Sequence, residues 1–246
     1  MRHRVLVTRP RGEAARTSRR LAEMGFYPVE LPLSEIVPVS LDVSTLPNAF
    51  DAVAITSANA ITHASSPLLA ALSEKPCFAV GARTAGKARE AGFGHVEEAQ
   101  GDASALARLV AGRLGTGARI VFPCGRVRLS ELERLLGGAG LSVFPIETYD
   151  SRRVNYDSST LEGVLGGEPI DAVLLYSAKA AEHFSGLAWS QAASEALRGA
   201  RFLCMSARVA GKLADVPSTR IEIASEPTED LLLRLLGAPT RCGEAS

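Results

Sequence analysis

Short runs of β-branched or apolar residues recur at residues 5–7, 52–55, 77–80, 120–122, 173–176, 202–205 and 221–223, the last with Glu222 between two isoleucines. Runs of this length predict strands buried on both faces. The stretches between them carry apolar residues at helical spacing. Leu106, Leu109, Val110 and Leu114 form one such stripe, and Leu129, Leu132, Leu135 and Leu136 form another. Thr228 is placed to cap a helix whose first turn holds Glu229 and Asp230, ahead of the leucine-rich stretch 231–236. Gly25, Gly92 and Gly140 stand where helices should stop. Strand–helix alternation predicts an α/β protein whose parallel sheets are covered on both faces.

The pattern repeats. Residues 82–87 read ARTAGK and residues 207–212 read ARVAGK. Upstream, Asp51-Ala52-Val53 leads to Thr56-Ser57-Ala58-Asn59, and Asp171-Ala172-Val173 leads to Tyr176-Ser177-Ala178-Lys179. The apolar run 5–7 with its helix ending at Gly25 mirrors the run 120–122 with its helix ending at Gly140. Three matches in the same order predict two related halves. Each should be a flavodoxin-like lobe, a doubly wound parallel sheet of about five strands.

Composition narrows the class. The chain has 246 residues, long enough for two lobes, with 27 basic and 27 acidic side chains. That balance gives no global field for nucleic acid. No apolar run is long enough to cross a bilayer. The first apolar stretch is too short for a signal peptide and is broken by Arg9, so a strand is expected there. Cys77, Cys124, Cys204 and Cys242 are far apart, as are the four histidines. No metal site and no disulfide framework are expected, and reduced thiols suit a cytoplasmic protein.

In doubly wound sheets, ligands bind where strand carboxyl ends lead into helix N-termini. Six such junctions follow the predicted strands: Thr8-Arg9-Pro10-Arg11, Thr56-Ser57-Ala58-Asn59, Gly81-Ala82-Arg83-Thr84, Cys124-Gly125-Arg126-Val127-Arg128, Ser177-Ala178-Lys179 and Ser206-Ala207-Arg208. All carry Ser, Thr or Gly, with Arg, Lys or Asn nearby. Exposed backbone N–H groups, hydroxyls and guanidinium forks are the donors that carboxylates need. A single junction of this kind is more often a helix cap than a binding site. Six together predict an anionic ligand. The chain has no Walker P-loop, no G-x-G-x-x-G after the first strand and no G-x-S-x-G elbow. A carboxylate-rich small molecule is therefore expected, and no organic cofactor.

These segments resemble the uroporphyrinogen-III synthase family. V-x-V-T-R-P at residues 5–10 opens many of its bacterial members. The stretches 54–60 (AITSANA), 80–85 (VGARTA), 121–125 with Arg128, 140–149, 175–178 and 205–210 resemble its later motifs in order and spacing. The resemblance spans nearly the whole chain. One departure is Val209, where some members have a hydroxyl-bearing residue.

The resemblance implies an enzyme that needs neither metal nor organic cofactor. It would be a cyclising hydro-lyase that closes hydroxymethylbilane to uroporphyrinogen III, with loss of water and inversion of ring D. It also implies a chain path. Lobe 1 is formed by residues 1–34 and 153–246, lobe 2 by residues 38–148, and the extended segments 35–37 and 149–152 link them. Tyr149 matches the family tyrosine thought to assist hydroxyl departure, and Thr84 is the second catalytic candidate. The substrate-binding candidates are Thr8, Arg9, Ser57, Asn59, Gly81, Arg83, Cys124, Gly125, Arg128, Ser177, Lys179, Ser206 and Arg208. A monomer acting on a small polycarboxylate, with no nucleic-acid or membrane partner, is expected. The competing reading is a non-catalytic two-lobed binding protein for a carboxylated or phosphorylated small molecule. Residues 239–246, with Cys242, are expected to form a loose tail.

Overall fold

The structure is a computed structural model that describes residues 3–187 and 189–238. Residues 239–246, expected as a tail, lie outside the described residues, and Cys242 with them. In chain order the elements are β1 (Arg4–Val7), α1 (Arg11–Glu23), β2 (Tyr27–Glu30), β3 (Ser34–Pro38), β4 (Ala52–Ile55), α2 (Ala58–Thr62), α3 (Ser66–Ser73), β5 (Cys77–Val80), α4 (Gly81–Glu90), β6 (Val96–Ala99), α5 (Ala103–Arg113) and β7 (Arg119–Gly125). They continue with α6 (Glu131–Gly138), β8 (Ser142–Arg153), α7 (Ser158–Leu165), β9 (Ala172–Leu175), α8 (Ala178–Ser185), α9 (Gln191–Ala196), β10 (Arg201–Cys204), α10 (Ala207–Ala210), β11 (Ile221–Ile223) and α11 (Glu229–Arg234). Contacts divide the chain into two compact units, Met1–Glu35 with Arg153–Ser246, and Ile36–Arg152.

The first unit holds a five-stranded sheet in the order β11-β10-β9-β1-β2, with every neighbouring pair parallel. Counted within the unit, this is the flavodoxin-like order. Alternate strand residues face opposite layers, as the pleat requires. Leu6, Val173, Leu175, Phe202 and Cys204 bury on one side, and Val5, Val7, Ala172, Leu174 and Leu203 on the other.

The second unit holds a six-stranded sheet in the order β3-β8-β7-β4-β5-β6. The pairs from β8 through β6 are parallel. Its strand residues divide in the same way. Ala52, Ala54, Phe78, Ile120 and Phe122 face one layer, and Val53, Ile55, Cys77 and Val121 face the other. The sequence repeat falls on equivalent places. β9 and β4 are the central strands that begin at Ala172 and Ala52, and the two AGK helices, α10 and α4, follow their neighbours β10 and β5. The glycines expected to stop helices, Gly25, Gly92 and Gly140, all take left-handed φ.

Two expectations change. The extended segments expected as links are strands. Ile36 and Val37 belong to β3, and residues 149–152 belong to β8, which pairs with β7 from Ser142 onward. Leu129 is not part of the helical stripe. α6 begins at Glu131, after Ser130, and Leu129 is 70% exposed on the preceding loop while Leu132 and Leu136 are buried. The leucine spacing suits a longer helix, but residues 126–130 form a loop whose arginines are ion-paired.

That difference is measurable. Leu132→Ala should cost about 2–4 kcal/mol in urea unfolding, as a large-to-small change in a packed core. Leu129→Ala should stay within about 0.5 kcal/mol. Equal costs would place Leu129 in the core after all.

Candidate active site

Each sheet has a point where the crossovers turn in opposite directions, between β1 and β9 in the first unit and between β4 and β7 in the second. The carboxyl ends of these strands are where a doubly wound sheet opens a crevice.

In the second unit, Tyr149 lies at that point. β8 is in register with β7 through Cys124 opposite Glu147, and then Gly125 faces Tyr149, so Thr148 is an extra residue. This bulge shifts the strand by one position and re-aims the side chains beyond it. Thr148 is 1% exposed, and its hydroxyl has no hydrogen-bond partner among the described residues. The half-buried Tyr149 ring is laid over Gly125. A Cβ built on Gly125 would lie 2.8 Å from two ring carbons and 3.0 Å from the phenol oxygen. Gly125 is thus required for clearance. His63, at the end of α2, approaches the same ring with centroids 6.3 Å apart and planes tilted by 41°. Burial holds the His63 imidazole below its usual range. Sequence reading missed His63, because a lone histidine carries no spacing signal.

The neighbouring junctions are laid out as the motifs predict. Ser57 caps α2 by accepting from the Asn59 N–H at 3.3 Å. α2 packs against α4. Gly81 opens α4 with φ of 71°, and no atom lies within 4 Å of where a Cβ would sit, so the backbone there is accessible. Arg83 is exposed, while Thr84 is buried within α4. Cys124 lies inside β7 and not after it. Its thiol donates to the Ile146 carbonyl, and burial pushes its pKa up to about 11.

Beyond Gly125 the chain forms a loop, residues 126–130. Arg126 donates to Glu147 at 3.0 Å and approaches Asp150 at 3.5 Å. Arg128 donates to Glu133 at 2.9 Å and lies 3.8 Å from Glu147. Two guanidinium groups therefore face three carboxylates, and the Arg128 charge is already matched inside the protein.

In the first unit, Thr8 is 1% exposed and donates to the Leu174 carbonyl at 2.6 Å, tying β1 to β9. Arg9 stacks over the Tyr176 ring at 4.3 Å and reaches Glu13 and Glu229 at 2.6 and 2.9 Å. Glu229, the first residue of α11, is a hub. It accepts from Thr17 at 2.5 Å, from Arg9 and Arg20 at 2.9 Å each, from Tyr176 at 3.1 Å and from Arg16 at 3.4 Å. Burial tends to raise its pKa, but the Thr17 hydrogen bond and the charges of Arg9 and Arg16 outweigh it, and the net shift is downward. Burial, then the Glu229 charge, pushes the Tyr176 phenol up to about 12. Sequence reading placed Glu229 only as a first-turn acid, since its partners on α1 are remote in sequence.

Ser177 caps α8 by accepting from the Ala180 N–H at 3.1 Å, and Lys179 is exposed. Ser206 precedes α10 without a side-chain cap bond, and Arg208 is exposed. Among the described residues, no group of histidine, cysteine and carboxylate side chains is arranged to hold a metal ion. No helix there is long and apolar enough to cross a membrane.

Doubly wound units with a tyrosine and capped strand ends at their switch points define a class, α/β proteins that bind at strand carboxyl ends. The particular family follows from comparison. A family model described as uroporphyrinogen-III synthase HemD matches residues 15–234. Uroporphyrinogen-III synthetase from Helicobacter pylori 26695 is similar in fold, with 19% identity and a TM-score of 0.67 over 96% of this chain and 98% of that one. A mutant uroporphyrinogen III synthase from Thermus thermophilus shares 23% identity, with a TM-score of 0.54 over 96% of each chain. Among curated proteins, none matches the sequence. The chain belongs to the uroporphyrinogen-III synthase family, enzymes of tetrapyrrole synthesis.

Two substitutions test the geometry. Gly125→Ala should displace the Tyr149 ring, destabilising the fold by about 1–3 kcal/mol through overpacking, and a crystal structure should show the ring moved. An unmoved ring would mean that Gly125 is not its clearance. Glu229→Gln should cost about 1–3 kcal/mol near neutral pH, because it removes one charge from a partly buried, hydrogen-bonded cluster. With its folded pKa depressed, Glu229 stabilises fully above the ordinary carboxylate range, and the contribution fades as pH falls through the folded value. Urea unfolding of both proteins should therefore converge towards acid pH, and a constant gap would assign the effect to something other than the charge.

Proposed function

We propose that this chain carries out its family's reaction, the dehydrating cyclisation of hydroxymethylbilane to uroporphyrinogen III with inversion of the last ring. The observation that carries this reading is the family match across residues 15–234. A tyrosine set half-exposed at a sheet switch point supports it.

The chemistry starts with departure of the hydroxyl from the terminal hydroxymethyl group. Tyr149 donates a proton to the leaving oxygen, water departs, and the electrons of the pyrrole nitrogen fill the vacated position to give an azafulvene-type cation. The substituted carbon of the last ring attacks that cation to give a spiro intermediate. Bond migration and loss of a ring proton then complete the macrocycle. Pyrrole supplies the electron push, so the protein's task is to hold the chain in one reacting geometry. A fixed Tyr149 ring over Gly125 suits that task.

Carboxylate binding falls to the small and cationic groups at the strand ends: Ser57, Asn59, Gly81 and Arg83 in one unit, and Ser177, Lys179, Ser206 and Arg208 in the other. Thr8, Arg9, Cys124 and Arg128 spend their polar atoms on internal partners, which favours positioning roles for them. Thr84 is buried within α4, which likewise favours a positioning role. The lyase class, action as a monomer and a cytoplasmic setting complete the proposal. Three buried free thiols, Cys77, Cys124 and Cys204, suit a reducing compartment.

Fresh hydroxymethylbilane, with the product oxidised and its isomers separated, tests the reading. Enrichment of isomer III over isomer I is expected, and isomer I alone at the spontaneous rate would remove the assignment. Tyr149→Phe should lower kcat by about 10²-fold or more with little change in KM, the mark of a lost transition-state proton donor. An unchanged kcat would take Tyr149 out of the mechanism.

A further inference from the structure

The loop at residues 126–130 inverts the usual order of side chains. Its arginines are drawn down onto the protein, Arg126 to Glu147 and Asp150, and Arg128 to Glu133 and Glu147. Its apolar residues, Val127 and Leu129, are turned outward. They are 58% and 70% exposed, more than any other large apolar side chain among the described residues. Scattered exposed apolar residues need no explanation, but a valine and a leucine on one short loop, beside arginines that are ion-paired, do.

We infer that Val127 and Leu129 are substrate-contacting residues that lie against a pyrrole ring face of the tetrapyrrole. The inference rests on the function proposed above and adds residues and a contact type to it. Three observations carry it. The loop continues directly from Gly125, so it rises beside the Tyr149 ring at the switch point. Its charges are matched or exceeded by carboxylates, two guanidinium groups against three acids, so its arginines are already ion-paired before a substrate carboxylate arrives. What remains outward is apolar, which suits the flat, uncharged face of a heteroaromatic ring. The ion pairs keep the loop in place without substrate, so the two side chains are preorganised.

The same arrangement explains why the leucine at 129 departs from the helical stripe. Were α6 to begin earlier, Leu129 could join the core, and the Arg128–Glu133 pair would be rearranged. The observed fold keeps the pair and exposes the leucine.

The test uses the full chain with both residues replaced, Val127→Ser with Leu129→Ser, and Met24→Ser as a control at an exposed apolar site elsewhere. The double variant should melt with the wild type, since neither side chain is buried. Its kcat/KM for hydroxymethylbilane should fall about tenfold, and its Kd for uroporphyrin III should rise by a similar factor, as expected for loss of two apolar contacts. Binding of mellitate, a carboxylate-rich probe with no pyrrole, should be unchanged, and Met24→Ser should match the wild type throughout. Wild-type turnover with an unaffected double variant would overturn this inference and leave the function standing. A wild type without isomer III activity would overturn the function, and uroporphyrin III binding would then decide the loop's role alone. Sedimentation that shows a wild-type dimer abolished in the double variant, with kcat/KM unchanged, would assign the apolar pair to a second copy of the chain and overturn the inference.

Discussion

In both sheets the central pair joins strands that the chain makes far apart. Val5 lies beside Ala172 where β1 meets β9, and Ala52 beside Ile120 where β4 meets β7. Parallel pairing of this kind needs helices on both faces, because each return crossover must pass over the sheet. The two central strands send their crossovers opposite ways, and the helices part above their carboxyl ends. The position of Tyr149, the capped serines and the exposed apolar loop all depend on that parting. The Thr8 hydrogen bond to Leu174 shows how tightly the central pair is held, with a side chain at the mouth of the crevice used to fasten the strands.

The central strands were legible because both of their faces are buried. Residues 5–7, 52–55, 77–80 and 202–204 admit only apolar side chains, so the sequence shows uninterrupted runs. β2, β3 and β6 lie at sheet edges and β8 lies beside one, and their half-exposed residues mix polar and apolar types. Periodicity does not separate such segments from extended linkers, so it gave no reason to set aside the links at 35–37 and 149–152 that the family resemblance implied, and these residues lie in β3 and β8. The repeat was legible because it falls on the central strands and the helices after them, where packing demands are alike in both sheets.

At the candidate site the sequence was informative about place and less so about role. Every quoted junction lies at or within a residue or two of a strand's carboxyl end. Residue type alone does not say whether a guanidinium faces a ligand or a neighbouring carboxylate. Arg9 and Arg128 have such neighbours, Glu13 four residues on and Glu133 five residues on, and Arg9 is further bound by Glu229 from the far end of the chain. Gly125 shows the same limit. A substrate-binding candidate in the sequence, it makes room for the tyrosine that stands opposite it beyond the Thr148 bulge, a task that residue type alone does not show.

These pairings bear on the chemistry. A substrate rich in carboxylates would bind tightly to a crevice full of free guanidinium groups, but uniform binding of that kind lowers KM without raising kcat. Positive charge also develops on the pyrrole chain as water leaves, and unpaired arginines beside it would oppose the step. On the loop after Gly125, Arg126 and Arg128 are ion-paired with Glu133, Glu147 and Asp150, three acids against two bases. That pairing reduces the positive charge the loop can present to a developing cation. At other junctions the side chains of Arg83, Lys179 and Arg208 are exposed. Within the second unit, the loop's charges are ion-paired while Val127 and Leu129 are exposed beside the Tyr149 ring, so for the proposed reaction that end of the sheet offers a ring and apolar side chains, and positioning decides which carbon attacks.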